Sequence, residues 1–256
     1  MPTTPRLFVS ADLSAGRPVG LDDEQSNYLL RVLRLQPGSE VRLFNGRDGE
    51  WDSQISSATG KKAELSPVAQ RRAQPPAASP ALTLMFAPVK KDETDFIVEK
   101  ATELGAVSIR PVLTHRTQTR SVRLDRFRKI VLEAAEQTER LDLPQVEDLV
   151  LLDFALAGLP PGTAVLFCDE AGDEAGAPWG GSTGRADPLR AVAQRLKGRD
   201  AAILIGPEGG FTPEERAHLR TRADTFAVSL GPRILRAETA AAAAMAVWQS
   251  VCGDWG

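Results

Sequence analysis

Apolar and polar positions change rhythm across one stretch of this chain, "AQRRAQPPAASP" (Ala69–Pro80), which is rich in Pro and Ala and has no period. Before it, apolar runs are short and separated by turn residues. "EVRLFNGRDGEWDSQI" carries an Asn-Gly and an Asp-Gly turn between Val41, Leu43, Trp51 and Ile55, the pattern of a β-hairpin in a small sheet or barrel. "LDDEQSNYLLRVLR" has the spacing of a helix with Tyr28, Leu29, Val32 and Leu33 on one side. After the stretch the runs lengthen and alternate. "LTLMFAPV", "SIRPVLT", "AVLFCDE", "AAILIG" and "TFAVSLG" predict buried strands. Between and after them, "DETDFIVEKATELG", "LDRFRKIVLEAAEQTER", "TPEERAHLRTR" and the alanine-rich C-terminal segment predict helices. Gly105 is a helix stop, and Thr212, Pro213 and Glu215 form a capping-box signature. Strands alternating with helices imply an α/β domain with a mostly parallel sheet. "DEAGDEAGAPWGGSTGRAD" predicts a flexible loop by composition.

The expected organisation is therefore a β domain over 1–72, a linker over 73–80 and an α/β domain over 81–256. Composition adds limits. With 42% hydrophobic and 25% charged residues the chain is ordinary globular material, and its net charge of −3 carries no bulk signal for nucleic acid. Cys168 and Cys252 are too few for a disulfide framework. No signal-peptide core and no membrane-spanning apolar run is present in the sequence, so a cytoplasmic protein without membrane contact is expected.

Candidate chemistry gathers at strand ends. "ILIGPEGGFTPEE" leaves an apolar strand through Gly206, Pro207, Glu208, Gly209 and Gly210 before a helix. Glycines there permit positive φ and close approach of a ligand, and open α/β sheets bind ligands at the carboxyl ends of their strands. "VSLGPRILRAET" repeats the arrangement, so two such loops can wall one pocket. Neither has phosphate-loop or dinucleotide spacing, and a pocket of backbone and small residues suits a flat purine with a zwitterionic tail. Arg233, Arg236 and Glu238 stand beside it, although such a trio at a helix start is also a common surface ion pair. "RPVLTHRTQTRSVRLDRFRK" is locally basic, which suits a phosphate backbone or a solvated face equally, and Arg31, Arg34, Arg71 and Arg72 extend the same charge. Glu136, Gln137 and Arg140 face a pocket or cap a helix; spacing alone does not choose. His115 and His218 have no metal-ligand spacing with the cysteines, so no metal is expected.

Four segments in order, "KKDETDFIVEKATELG", "EQTERLDLP", "IGPEGGFTPEE" and "SLGPRILRAETAAAAA", resemble the signatures of the RsmE family, SPOUT-class methyltransferases that use S-adenosylmethionine on N3 of a uridine in 16S ribosomal RNA. "NYLLRVLRLQPGSEVRLFNGRDGEW" is similar to the family's PUA-like RNA-binding domain. The resemblance implies an N-terminal PUA-like β-barrel and a C-terminal SPOUT α/β domain with a deep trefoil knot. It also implies a homodimer, and 16S RNA as partner within the small ribosomal subunit. Carried onto this chain, it places the cofactor on Leu204, Ile205, Gly206, Gly210, Ser229, Leu230, Gly231, Ile234 and Leu235. Arg236, with Arg233 second, is expected to stabilise the uracil anion, and Glu238 or Glu208 to accept the proton. Arg31, Arg34, Arg116, Arg120 and Arg140 are the expected RNA contacts. A different SPOUT substrate, or a non-catalytic assembly factor of the same fold, is the alternative. In such a knot the alanine wall of the last helix would let it lie close to other backbone.

Overall fold

The computed structural model describes residues 4–169 and 186–255, so most of the segment expected to be a flexible loop lies outside the described residues. The chain divides into two compact units that do not follow chain order. One comprises Met1–Pro76 with Leu132–Leu143, and the other Ala77–Val131 with Pro144–Gly256. The expected second domain thus lends a short piece, the end of one helix and the turn after it, to the first unit.

The first unit is a five-stranded sheet. Its elements are β1 (Arg6–Phe8), β2 (Val19–Gly20), α1 (Asp23–Asn27), a π-helical turn (Tyr28–Val32), β3 (Glu40–Phe44), β4 (Glu50–Thr59) and β5 (Lys62–Arg72). The order is β1-β3-β4-β5-β2, with β1 parallel to β3 and the other pairs antiparallel. The predicted hairpin forms with Val41 opposite Ser53 and Leu43 opposite Trp51. Its turn is tied by Asn45, whose side-chain oxygen accepts from the Arg47 and Asp48 N–H groups. The core is aliphatic, with Leu7, Val19, Leu29, Val41, Leu43, Ile55 and Leu65 buried together. The expected apolar helix face is not buried as a unit. Leu29 is buried, whereas Tyr28, Val32 and Leu33 are 38%, 62% and 38% exposed. The helix turns π-helical after Asn27, with Leu33 N–H bonded to Tyr28 O, and the wider turn carries later positions off the buried side.

Around the returning piece a buried carboxylate organises charge. Glu50 is 1% exposed and accepts from Arg6 Nε at 2.6 Å and Arg72 Nε at 2.9 Å. Arg6 also donates to the carbonyls of Ala135, Glu136 and Arg140 and lies over the Phe44 ring. Burial pushes the Glu50 carboxyl up, but its bonds to Arg72 and Arg6 outweigh this and hold it below the usual range. Glu136, expected to face a pocket or cap a helix, has a carboxylate that accepts from Phe8 N–H. Burial raises its pKa above the ordinary value.

The second unit holds β6 (Leu82–Phe86), α2 (Lys91–Glu103), β7 (Ser108–Leu113), α3 (Leu124–Gln137, through Val131 in this unit), β8 (Gln145–Val146), β9 (Val150–Leu151), α4 (Leu152–Ala157), β10 (Ala164–Cys168), β11 (Asp187–Pro188), α5 (Leu189–Arg195), β12 (Ala201–Ile205), α6 (Pro213–Thr221), β13 (Thr225–Ser229) and α7 (Ala237–Val251). Its strands run parallel in the order β11-β13-β10-β12-β6-β7-β8, with β9 beside β7. The central strands β10, β12 and β6 are apolar apart from Thr83, as a sheet covered on both faces requires. The five strands and the helices expected from periodicity are present; β8, β9, β11, α4 and α5 are additional. Met85, Val165, Phe167, Ala202 and Leu204 form a core with α4 and α6 residues.

α7 packs against α2, α5 and β12. Ala237, Ala240, Ala241, Ala244, Met245, Trp248 and Gln249 are its buried positions, and the small alanine side chains let neighbouring elements come close. α2 ends as predicted at Gly105, whose φ of +80° a side chain rarely adopts. Gln249 of α7 donates to Leu104 O beside it, and a Cβ on Gly105 would stand 2.6 Å from Gln249 Nε2. The Thr212–Glu215 capping box is complete.

Candidate active site

The carboxyl ends of β6, β10, β12 and β13 open onto a pocket of about 410 Å³. One wall is Val89, Lys90 and Glu93, from the loop after β6 and the first turn of α2. A second is Ile205 to Glu208, the loop after β12. The third runs from Val228 through Gly231 and Leu235 into the start of α7. Cys168 and Asp169, at the end of β10, complete the lining. The two glycine loops thus form two walls of one pocket, as their spacing suggested.

Eleven of the expected site residues line this pocket: Ile205, Gly206, Glu208, Ser229, Leu230, Gly231, Arg233, Ile234, Leu235, Arg236 and Glu238. Two do not. Leu204 is fully buried in the sheet core, because alternate strand residues point to opposite faces. Gly210 sits outside the lining in a turn with φ +65°, its N–H bonded to Pro207 O. Sequence reasoning missed Val89, Lys90, Glu93 and Asp169. No glycine marks the loop after β6, and the pairing of β6 with β12 alone brings it to the pocket.

The glycines differ in purpose. Gly231 has φ +114° with open space where a Cβ would project, and its N–H is bonded by Ser229 Oγ. At Gly206 a Cβ would stand 3.0 Å from the Phe211 ring, so the missing side chain makes room for that ring while the residue itself lines the pocket.

The charges also differ. Asp169, 2% exposed at its side chain, accepts from Arg216 Nε and Arg220 Nη2, both at 2.9 Å, and so ties α6 to the end of β10. Arg233, Arg236, Glu208 and Glu238 form no ion pair with one another or with other charged side chains among the described residues. The surface ion pair weighed for them is therefore absent. Arg236 is the N-cap of α7, in extended conformation and without a side-chain capping bond.

The expected RNA contacts fall in both units. Arg31 lines a separate cavity of about 630 Å³ in the first unit, with Asn27, Leu30 and Lys61. Arg34 is exposed with φ +56°, uncommon for a residue with a side chain. Arg120 is exposed. Arg116 donates to Gly209 O at 2.6 Å, and Arg140 Nε bonds Asp142, with its side chain only 12% exposed.

A pocket walled by backbone, with Val228, Leu230, Ile234 and Leu235 for a flat ring and both signs of charge for a zwitterion, fits S-adenosylmethionine. Comparison with known proteins agrees. Residues 77–249 match the model of an RNA methyltransferase domain, and residues 21–68 that of an RNA methyltransferase PUA domain. The chain is 34% identical over 242 residues to the ribosomal RNA small subunit methyltransferase E of Rickettsia conorii, covering 94% of this chain and 93% of that one. The Synechocystis protein of the same name is 33% identical, covering 94% and 76%. The crystal structure of a ribosomal RNA small subunit methyltransferase E from Neisseria gonorrhoeae, bound to S-adenosyl methionine, superposes with a TM-score of 0.81 at 29% identity, covering 99% of this chain and 100% of that one. With the PUA-like sheet, the parallel α/β unit and the two-loop pocket in place, this chain belongs to the RsmE family of S-adenosylmethionine-dependent ribosomal RNA methyltransferases.

Proposed function

We propose that this protein methylates N3 of a uridine in 16S ribosomal RNA. The observation that carries the reading is the single pocket at the parallel strand ends, where two glycine loops meet two arginines and two carboxylates that have no ion-pair partner among the described residues. S-adenosylmethionine supplies a methyl group on a sulfonium, which a nucleophile takes with loss of the neutral thioether. Uracil N3 carries a proton and attacks poorly until that proton leaves, after which the negative charge spreads onto the flanking carbonyl oxygens. The protein's part is to hold the base, take the proton and stabilise that charge. Arg236, with Arg233 second, lines the pocket and donates to the carbonyl oxygens in this reading; one such fixed donor is worth about 3 kcal/mol. Glu238 or Glu208 takes the N3 proton. Ile205, Gly206, Ser229, Leu230, Gly231, Ile234 and Leu235 hold the cofactor. Leu204 contributes only by fixing the strand behind them. The target base must leave its stack to reach such a pocket.

Arg31, Arg34 and Arg120, all exposed, are the proposed RNA contacts. The reading extends to the small ribosomal subunit as substrate, to a cytoplasmic location and to a homodimer. No helix among the described residues is long and apolar enough to cross a membrane. Ile234, 60% exposed beside the pocket, is a position that a second copy would cover. The reading also includes a trefoil knot, in which the last helix would be threaded through the chain.

Nucleoside mass spectrometry tests the reaction. Unmethylated small subunits incubated with the protein and S-adenosylmethionine are expected to yield 3-methyluridine. A different methylated nucleoside would change the substrate, and no product despite cofactor binding would favour an assembly factor.

A further inference from the structure

The segment after β7, Thr114 to Thr119, belongs to the basic stretch whose charge suits RNA. Its hydrogen bonds give it a second role. It is knitted to itself: Thr114 N–H donates to Thr117 Oγ1 at 2.9 Å, the two hydroxyl oxygens are 2.9 Å apart, and Thr117 N–H donates to Thr114 O. Both threonines are buried. From this closed turn two bonds reach outward to different walls of the pocket. Arg116 Nη1 donates to Gly209 O at 2.6 Å, in the loop after β12. Thr119 Oγ1 donates to Val89 O at 2.8 Å, in the loop after β6. A third bond, His115 N–H to Glu215 Oε1 at 2.8 Å, holds the capping box of α6, where the β12 loop ends.

Those walls need a brace. β6 and β12 are neighbouring parallel strands paired as far as Phe86 and Ile205, with Ala87 N–H still bonded to Ile205 O. Beyond that point the ladder gives way to loops, and each loop follows its own course around the pocket. A ligand held between them binds only as well as their separation is maintained. We infer that Arg116 and Thr119 are positioning residues for methyl transfer: the turn Thr114–Thr119 braces the loop after β6 against the loop after β12 and thereby fixes the width of the pocket. Neither side chain lines the pocket, so they act through Gly209 and Val89 rather than on the cofactor.

This rests on the pocket being the cofactor site, and the test separates the two. Cofactor affinity is measured by calorimetry, KM for S-adenosylmethionine and KM for RNA by methyl transfer to small subunits, and folding by the thermal midpoint. Arg116→Ala and Thr119→Val are each expected to weaken cofactor binding about fivefold to tenfold, the size of one net hydrogen bond, and to raise KM for the cofactor while kcat changes less. Arg116→Lys and Thr119→Ser, which restore a donor, should recover most of the affinity. The double variant should lose less than the product of the two single losses, because breaking either end already frees the brace. Gly231→Trp, which fills the pocket, is the control. If it abolishes cofactor binding while Arg116→Ala and Thr119→Val bind normally, the brace is overturned and the pocket stands. An effect confined to KM for RNA would also overturn it, making these residues RNA contacts. If Gly231→Trp itself binds normally, the cofactor lies elsewhere and both readings fall. A loss of affinity that tracks the thermal midpoint and is not recovered by the lysine and serine variants would reduce the turn to a structural element.

Discussion

Arginines and glutamates appear in both units, but their surroundings give them opposite meanings. In the first unit Glu50 is shut away from solvent and saturated by Arg6 and Arg72, and Arg6 spends its remaining donors on three carbonyls. At the pocket of the second unit, Arg233, Arg236, Glu208 and Glu238 face the cavity without ion pairs among the described residues. A charge whose bonds are all made inside the protein can only hold structure. One with its bonds unmade is available to a substrate.

The sharpest test is to cut the saturated cluster. Glu50→Ala leaves Arg6 buried without its counter-charge and is expected to cost about 3–5 kcal/mol in denaturant unfolding. The Glu50 carboxyl is held below its ordinary range in the folded protein. Its contribution is therefore present above the unfolded pKa and lost as pH falls through the folded one, so the difference between wild type and variant should narrow in acid. If Glu50→Ala instead retained stability and lost turnover, the contrast between the units would fail.

Next in size is Arg236→Ala. Turnover should fall about 10²–10³-fold, with cofactor affinity and thermal midpoint nearly unchanged. Equal loss of affinity and turnover would move Arg236 into the cofactor contacts.

Gly105→Ala probes packing without charge. Its positive φ and the nearby Gln249 amide predict a loss of about 1–2 kcal/mol, read as a lower thermal midpoint with kcat preserved. An unchanged midpoint would show that the α2 end relaxes freely.

The smallest effect separates two carboxyls in the same unit. Burial raises the Glu136 carboxyl, so its stabilising contribution is present below the unfolded pKa and lost as pH rises through the folded one. Glu136→Gln keeps an acceptor for Phe8 N–H and removes the buried charge. It should raise the thermal midpoint by about 1–3 °C at neutral pH and not at all near pH 4. A lower midpoint at neutral pH would mean that the ionised form is the stabilising one.

Local rules carried much of this molecule. The Asn-Gly hairpin, the helix stop at Gly105, the Thr212–Glu215 cap and the apolar strands each depend on neighbours close in sequence, and each formed as predicted. The helix over 21–34 formed from Asp23 to Val32, but its expected apolar face did not, because the last turn is π-helical and answers to packing rather than to spacing. Leu204 was misplaced as a pocket residue because a strand's apolar run does not say which face each residue takes until the sheet is assembled.

By itself, then, the sequence determined the element types, the two strand-end glycine loops and the segments that mark the RsmE family, all encoded within short windows. The tertiary structure alone decided that Lys90 and Glu93 join the pocket, that Arg116 spends a donor on Gly209, and that Leu132–Leu143 returns to the first unit. Those outcomes depend on which strands become neighbours and which carbonyls lie within reach. Spacing along a chain does not carry that information.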